Sequence, residues 1–431
     1  MRPLPLSRPL ARITVLALAT GVAVALGASC TRPYAPAADA TERRTGAEAD
    51  AAAAAAGAMS PAHALSLVDA AARRGIAEGI YPGAVLVVGT GAGPLYARGY
   101  GHYTWDTTSA TPSPDSTLWD LASVTKVVGT ASAAARLVAE GKLDLDAPVA
   151  RYLPEFRGPG KERVTVRMLL DHTSGLPDFE KIWKKTRRKD RAIRYLLAEP
   201  LERAPGASAV YSDFNAMILG LVLERAAGQP LEQVVASRVL EPLGMRETRY
   251  NPSAALRSRI APTGIFRGVP SSGMVHDKNA TILGGVSGHA GLFASGGDVA
   301  RLAAAWLREG RREDGSAWLA PAIVDTFIAE RPGAGSRRLG WDGRDGTATP
   351  ADPSVFGSAT SPRVYGHTGW TGTMLWVDPA RDLYVVFLTN RTFDPRAQDP
   401  KRALRRVRAE LADAVVRWRE AGGRTVEVAG R

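Results

Sequence analysis

Strand-forming sequence lies near both ends of this chain, and helix-forming sequence fills the stretch between. Near the start, Gly83 to Val88 (GAVLVV) and Leu95 to Tyr100 read as strands. Near the end, Gly372 to Val377 and Leu383 to Thr389 (LYVVFLT) are β-branched and aromatic runs separated by a turn at Asp378-Pro379. The GTGAGP between the first two strands is Gly-rich, but no helix follows it. It reads as a hairpin turn rather than a phosphate-cradling loop. Between the two strand regions lie helical patterns: Val124 to Glu140, closing on Gly141 as a C-cap, then Asn215 to Ala227 and Asp298 to Glu309. Pro61 opens an early helix with Leu65, Leu67, Val68 and Ile76 on its apolar face, and a last helix spans about Lys401 to Trp418. This order predicts one sheet drawn from both termini, with a helical subdomain inserted. Its boundaries are 61–122 and 335–420 for the sheet part and about 123–334 for the insert, leaving 421–431 as a tail. No internal repeat is present.

The first 60 residues follow a different logic. Arg2, Arg8 and Arg12 precede the apolar stretch Ile13 to Gly27, too short for a good membrane span, and small residues follow it. Residues 1–29 therefore read as a secretory signal. The single cysteine, Cys30, comes directly after, as in a bacterial lipobox, although the aliphatic Leu26 sits one place early. The expectation is an envelope protein, either held by a lipid on Cys30 or released into the periplasm or medium. One cysteine excludes an intrachain disulfide and a Cys-based metal site. Residues 30–60 are Ala-rich, with no large apolar side chains to bury, and read as a tether.

The formal charge is +12, and only nine of the 55 basic residues are Lys. Arg-rich codon usage accounts for such a balance. No zinc-finger spacing, RRM signature or basic helix supports nucleic acid. The run Lys181 to Arg191 (KIWKKTRRKDR) reads as a solvated face rather than a steering patch.

The chemistry centres on Ser123-Val-Thr-Lys126. Residues three apart share a helix face, so the Ser hydroxyl and the Lys amine can meet. Ser123 would stand at a helix N-terminus, where unpaired N–H groups favour developing negative charge. A serine is a weak nucleophile until a base takes its proton, and a lysine is that base only when its pKa is lowered. Alone, the pattern fits an N-capping Ser with an exposed Lys equally well. Tyr211-Ser212-Asp213 follows 88 residues later, before a helix, and His367-Thr368-Gly369 lies on or beside a C-terminal strand.

These three sets, in this order, resemble the S-x-x-K, Y-x-N and K-T-G motifs of class C β-lactamases and related penicillin-binding proteins. The segments Leu169-Leu170-Asp171-His172-Thr173-Ser174-Gly175-Leu176, Gly288-His289-Ala290-Gly291-Leu292-Phe293 and Gly366 to Gly372 (GHTGWTG) also resemble family text, and the resemblance covers about residues 63 to 420. It implies an antiparallel sheet flanked by helices beside a helical domain, an α/β (α+β) arrangement. It also implies cofactor-free acyl transfer: Ser123 attacks a carbonyl, while Lys126 and Tyr211 share the proton as base and then acid. The backbone N–H groups of Ser123 and Trp370 form an oxyanion hole, and losing one such donor costs about 3–4 kcal/mol in the barrier. His367, on the edge strand, would line the site with Thr368 and Gly369, holding a substrate carboxylate or tuning Tyr211. Substrates implied are β-lactams, D-amino-acid peptides of peptidoglycan type, or esters.

Two positions depart from the lactamase pattern. Asp213 stands where Asn is usual, and a carboxylate would hold Lys126 protonated; Asn215 could take over if the turn were shifted. His367 replaces the usual Lys, removing a permanent cation. Both changes put efficient β-lactam hydrolysis in doubt. They fit an esterase or peptidase better, or an envelope protein that is acylated by penicillin without turnover. Ser212-Asp213 also resembles the class A S-D-N motif, but Phe214 stands where that Asn belongs. No G-x-S-x-G elbow is present. His172 and Ser174 read as turn residues. His276 and His289 lack a third metal ligand at a recognisable spacing and read as a loop against the cleft. Trp105, Trp119 and Trp341 read as core, and Trp370 as lining the pocket.

Overall fold

The computed structural model describes residues 59–426. The signal, Cys30 and nearly all of the tether lie outside the described residues. Helix α1 (Pro61–Ala77) begins with Ser60 as N-cap and Pro61 in its first turn. Strands β1 (Gly83–Thr90) and β2 (Gly93–Gly101) then form a hairpin. Strands β10 (Met374–Asp378) and β11 (Leu383–Thr389) return from the far end, and β11 pairs antiparallel with β1 from Ala84↔Thr389 to Gly89↔Tyr384. With β9 (Tyr365–Thr368) and the two-residue β8 (Asp342–Gly343), the sheet runs β2-β1-β11-β10-β9-β8, wholly antiparallel. The two residues of β8 cover only Tyr365 and Gly366 of β9, so the His367–Thr368 end of β9 stays without a strand partner on that side.

The central strands are buried at every position and apolar at most of them, because both sheet faces are covered. Leu86, Val88, Trp376, Val385 and Phe387 face α1 and the last helix, α5 (Pro400–Glu420). Their neighbours Val85, Val87, Leu375, Val386 and Leu388 face the other way, into a core shared with the helical region. Helix α4 (Gly296–Leu307), capped by Ser295, lies on that second face against β1 and β11. Its Gly296 is close enough that a Cβ there would touch Val87 at 3.2 Å. This helix falls inside the stretch expected to form the insert, yet it belongs to the sheet's packing, because its apolar side covers the exposed half of β1.

The helical region holds α2 (Ser132–Ala139) and α3 (Asp213–Ala227), the latter closing on Gly228 at φ 65°. A small sheet, β3 (Trp119–Asp120), β7 (Leu292–Ala294) and β4 (Arg249–Tyr250), joins this region to the rest, and β5 (Gly264–Phe266) and β6 (Val269–Ser271) form a separate hairpin. Among the described residues, no helix is long and apolar enough to cross a membrane.

Candidate active site

Ser123 leaves β3 through a tight turn rather than a regular helix. Asp120 is buried, and its carboxylate accepts the N–H groups of Ala122 at 2.9 Å and His276 at 2.7 Å. That arrangement holds Ala122 at φ 46°, a left-handed conformation that costs an L-residue about 1–2 kcal/mol. Burial pushes the Asp120 carboxyl up to about 6 despite those two donors. Ser123 sits in the 3₁₀ turn Ala122–Val124, and Lys126 begins a π-helical stretch, Lys126–Ala131, that runs into α2. The uniform helix read from Val124 to Glu140 is therefore three helix types in series. Apolar spacing does not distinguish them, since every residue from Val124 to Ala135 is buried and no face is marked.

Lys126 is buried, with its Nζ 3.0 Å from Ser123 Oγ, 2.7 Å from Asp213 Oδ1 and 3.3 Å from the His289 carbonyl. Burial pulls its pKa down. The Asp213 carboxylate and the Tyr211 phenol outweigh burial, so the amine is held above its ordinary value and is an ammonium at rest. Asp213 opens α3, and its carboxylate faces this ammonium. Asn215 does not take its place: it is fully buried and bonds to Ser174 Oγ at 2.5 Å and His172 Nδ1 at 3.1 Å.

Tyr211 lies among four groups. Its ring centre is 4.8 Å from that of His172 and 5.9 Å from that of His367. Lys126 Nζ stands 5.0 Å and the Arg337 guanidinium 4.9 Å from the same ring. The two imidazoles have opposite tautomers. His172 Nδ1 accepts the Ser212 N–H at 3.2 Å, so its proton is on Nε2. His367 Nδ1 lies 2.8 Å from the Thr368 carbonyl and must donate to it, so Nε2 carries a lone pair. Burial, aided by Lys126 and Arg337, holds His367 well below the ordinary histidine range; burial, Arg337 and Lys126 do the same for His172. A neutral His367 presents a lone pair, not a fixed positive charge, toward the site. Arg337, beside the Tyr211 ring, pairs with Asp342 at 3.3 Å.

Gly369 lets the C-terminal turn approach the nucleophile, because a Cβ there would collide with the Thr373 hydroxyl and the Leu121 carbonyl. Thr371 Oγ1 donates to the Asp120 carbonyl at 2.7 Å and Thr373 Oγ1 to Leu121 at 2.8 Å. Arg408 of α5, buried and pushed down to about 9 by that burial, donates to the Thr373 carbonyl at 2.8 Å and to Gly369 at 3.3 Å. Trp370 stands at the mouth and is 56% exposed. Trp119 and Trp341 are core; Trp105 is half-buried.

Sequence reasoning missed a polar cluster behind Lys126. Asp213, Asp277 and His289 offer ligand atoms within 4.8 Å of one another, so a third donor does exist, supplied by a distant segment. The Lys126 ammonium already provides positive charge there. Burial works against ionisation of Asp277, but the facing His289, 2.9 Å away, holds its carboxyl down at about 2. His276 stands apart, its N–H spent on Asp120. Arg337, Arg408, Thr371 and Thr373 were missed as well. Only the H-T-G-x-T-G-T spacing from His367 hinted at the two threonines.

A nucleophile-bearing turn, a buried lysine, a tyrosine before a helix and an H-T-G strand end meet in one crevice. The beta-lactamase family profile matches residues 68–409, and the chain belongs to that family. An Escherichia coli (strain K12) protein carrying the provisional name D-alanyl-D-alanine carboxypeptidase is 35% identical over 66% of this chain and 71% of its own. The Bacillus subtilis (strain 168) N-acetylmuramyl-L-alanine amidase is 35% identical over 77% of this chain and 82% of its own. Among solved structures, EstCE1, a hydrolase with promiscuous acyltransferase activity, superposes with TM-score 0.65 at 23% identity, covering 82% of this chain and 98% of its own. A penicillin-binding protein homologue from Caulobacter crescentus gives 0.63 at 23% identity, covering 82% and 96%. These structures share the fold: a β-lactamase/transpeptidase-like sheet with helices. The chain is a serine hydrolase of this family.

Proposed function

We propose that this protein is an exported acyl hydrolase working through an acyl-enzyme on Ser123, with alanine-containing amides of peptidoglycan type as substrates. The observation that carries the reading is the Lys126 Nζ, 3.0 Å from Ser123 Oγ and fixed by Asp213 at 2.7 Å. Because Asp213 keeps Lys126 charged, the two groups divide the work. Lys126 donates a hydrogen bond to the Ser123 oxygen and stabilises the alkoxide as it forms. In this reading Tyr211 reacts as the phenolate, whose charge Lys126 and Arg337 beside its ring stabilise; it takes the Ser123 proton and becomes the neutral phenol. Ser123 Oγ bonds to the carbonyl carbon, and the C–N or C–O bond to the leaving group breaks. The leaving group departs with the proton returned through Tyr211, and water releases the acid by the same steps in reverse. The N–H groups of Ser123 and Trp370 face the developing oxyanion. The amide reading is supported by the names of the two relatives, both of which place alanine at the bond.

A second reading, a carboxylesterase with negligible lactamase activity, is favoured by His367, which offers a lone pair where lactamases place a cation. The test is intact-mass spectrometry with turnover of an alanyl-alanine amide, p-nitrophenyl acetate and nitrocefin. Amide turnover with a transient acyl adduct that disappears in Ser123→Ala is expected. Ester turnover alone selects the esterase, and a stable penicillin adduct without turnover makes the protein a binding factor. Export and lipid attachment rest on the N-terminal sequence: Cys30→Ala should move the protein from the membrane to the soluble fraction, and unchanged fractionation would reject lipidation.

A further inference from the structure

The β5–β6 hairpin stands off the body of the protein. Every residue from Ile265 to Pro270 is exposed, and a Cβ at Gly264 or Gly268 would meet nothing within 4 Å. Arg267 and Gly268, at φ 51° and 78°, make the two-residue turn, and Phe266 pairs with Val269 and Ile265 with Pro270. A free ribbon in water is ordinarily polar, yet Ile265, Phe266 and Val269 are 54%, 59% and 64% exposed. Consecutive residues of a strand point to opposite faces, so Ile265 and Phe266 make both faces apolar. A groove on a partner protein covers one face of a ribbon, whereas a lipid surface surrounds both.

The root of the hairpin leads to a strip of aromatic rings bearing cations. The Pro262 carbonyl accepts from Asn390 Nδ2 at 3.1 Å, and the next residue, Arg391, is buried and props the exposed Trp370 from behind, its guanidinium donating to the Trp370 carbonyl 4.9 Å from the ring centre. Lys401 Nζ is 5.8 Å from that ring, Arg396 4.5 Å from the Trp105 ring and Arg267 5.3 Å from the Phe266 ring. The exposed cations Arg267, Arg396 and Lys401 stand against the exposed carboxylates Asp394 and Asp399 of the same segment. Rings with apolar bodies beside cationic heads suit the boundary between acyl chains and anionic headgroups.

We propose that the β5–β6 hairpin and the strip of Trp370, Arg396 and Lys401 seat this protein on an anionic lipid surface. A three-residue strand reaches about 10 Å at about 3.3 Å per residue, and interfacial apolar groups sit about 5–10 Å deep. The contact does not depend on a lipid at Cys30. It would turn the mouth of the Ser123 crevice, where Trp370 stands, toward the bilayer.

The single cysteine makes the test clean. In the full chain carrying Cys30→Ala, Phe266→Cys is labelled with an environment-sensitive NBD dye, and Glu313→Cys, 79% exposed elsewhere, serves as reference. With vesicles of phosphatidylcholine and phosphatidylglycerol, dye at 266 should shift to the blue, brighten about two-fold and be quenched by doxyl-labelled lipid. The dye at 313 should not respond, and phosphatidylcholine alone should give a weaker signal. Because the dye reports its own position, binding through the N-terminus cannot imitate this result. An unchanged spectrum at 266 with saturating anionic vesicles overturns the proposal. Equal signals with and without phosphatidylglycerol overturn its anionic part. A shift that grows with protein concentration in the absence of lipid assigns the hairpin to a second copy and overturns it too. Turnover of a soluble ester by each labelled form confirms that it is folded.

Discussion

The face of the sheet that packs on α1 and α5 and the seam at the sheet's end are built by opposite rules. Toward α1 and α5 the contacts are apolar and regular, with Leu86, Val385, Phe387, Leu404, Leu411 and Val415 interlocked. Where the sheet's end meets the helical region, the seam holds a buried lysine, two neutral histidines, Asp120 and two left-handed non-glycine residues, Ala122 and His172. The first surface holds the fold together. The second spends part of that stability on fixing charges and a strained turn. Substitutions should therefore separate cleanly, affecting stability on the one side and chemistry on the other.

The largest separation is expected from Lys126→Ala and Tyr211→Phe, each lowering kcat about 100-fold or more with the melting midpoint little changed. Wild-type rates in either would reject the proposed roles. Next comes Leu411→Ala on the helix side, which should cost about 2–5 kcal/mol in denaturant unfolding while kcat stays near wild type. A loss of kcat in the folded variant would show that the two surfaces are coupled.

Asp213→Asn sharpens the seam. Without the carboxylate, burial alone acts on Lys126, so its pKa should fall. The alkaline limb of the pH–rate profile should move toward neutrality by about one unit or more, and an unmoved limb would mean that Asp213 does not set the lysine's charge. The same pair bears on stability. A raised folded pKa gives stabilisation present below the unfolded value and lost as pH rises through the folded one, so Lys126 should not weaken the fold near neutrality. Asp120 has the same sign at lower pH. With its carboxyl at about 6 in the fold, its contribution is complete below about 4 and fades between about pH 4 and 6, by ~3 kcal/mol at most. Urea midpoints of wild type and Asp120→Asn across that window should change relative to each other; parallel curves would refute the shift.

The smallest effect is expected at His172. Asn tolerates φ 63° and offers an acceptor, so His172→Asn should keep kcat within about five-fold, whereas His172→Ala should lose more and leave the Ser212 N–H unpaired. Equal losses would reduce His172 to a space-filling role.

What could be read in advance follows the same division. β-branched runs announced β1 and β11 because burial on both faces leaves few polar positions to blur the signal. Ser123, Lys126 and Tyr211 were legible because their spacing and order are distinctive. The polar cluster was not. Asp277 and His289 approach Asp213 only through tertiary folding, and nothing near Arg337 or Arg408 marks either as facing the crevice. The three helix types after Ser123 were equally hidden, since the π-helical segment changes hydrogen bonding without changing which residues are apolar.

Strand β1 finds its partner β11 almost three hundred residues further along, and Arg408 braces the crevice from the helix after that. A growing chain therefore carries Ser123 and Lys126 long before it holds the turn that completes their pocket. Until its final helix docks, such a chain should be inert toward acyl donors, and any truncation before α5 should abolish activity outright rather than weaken it.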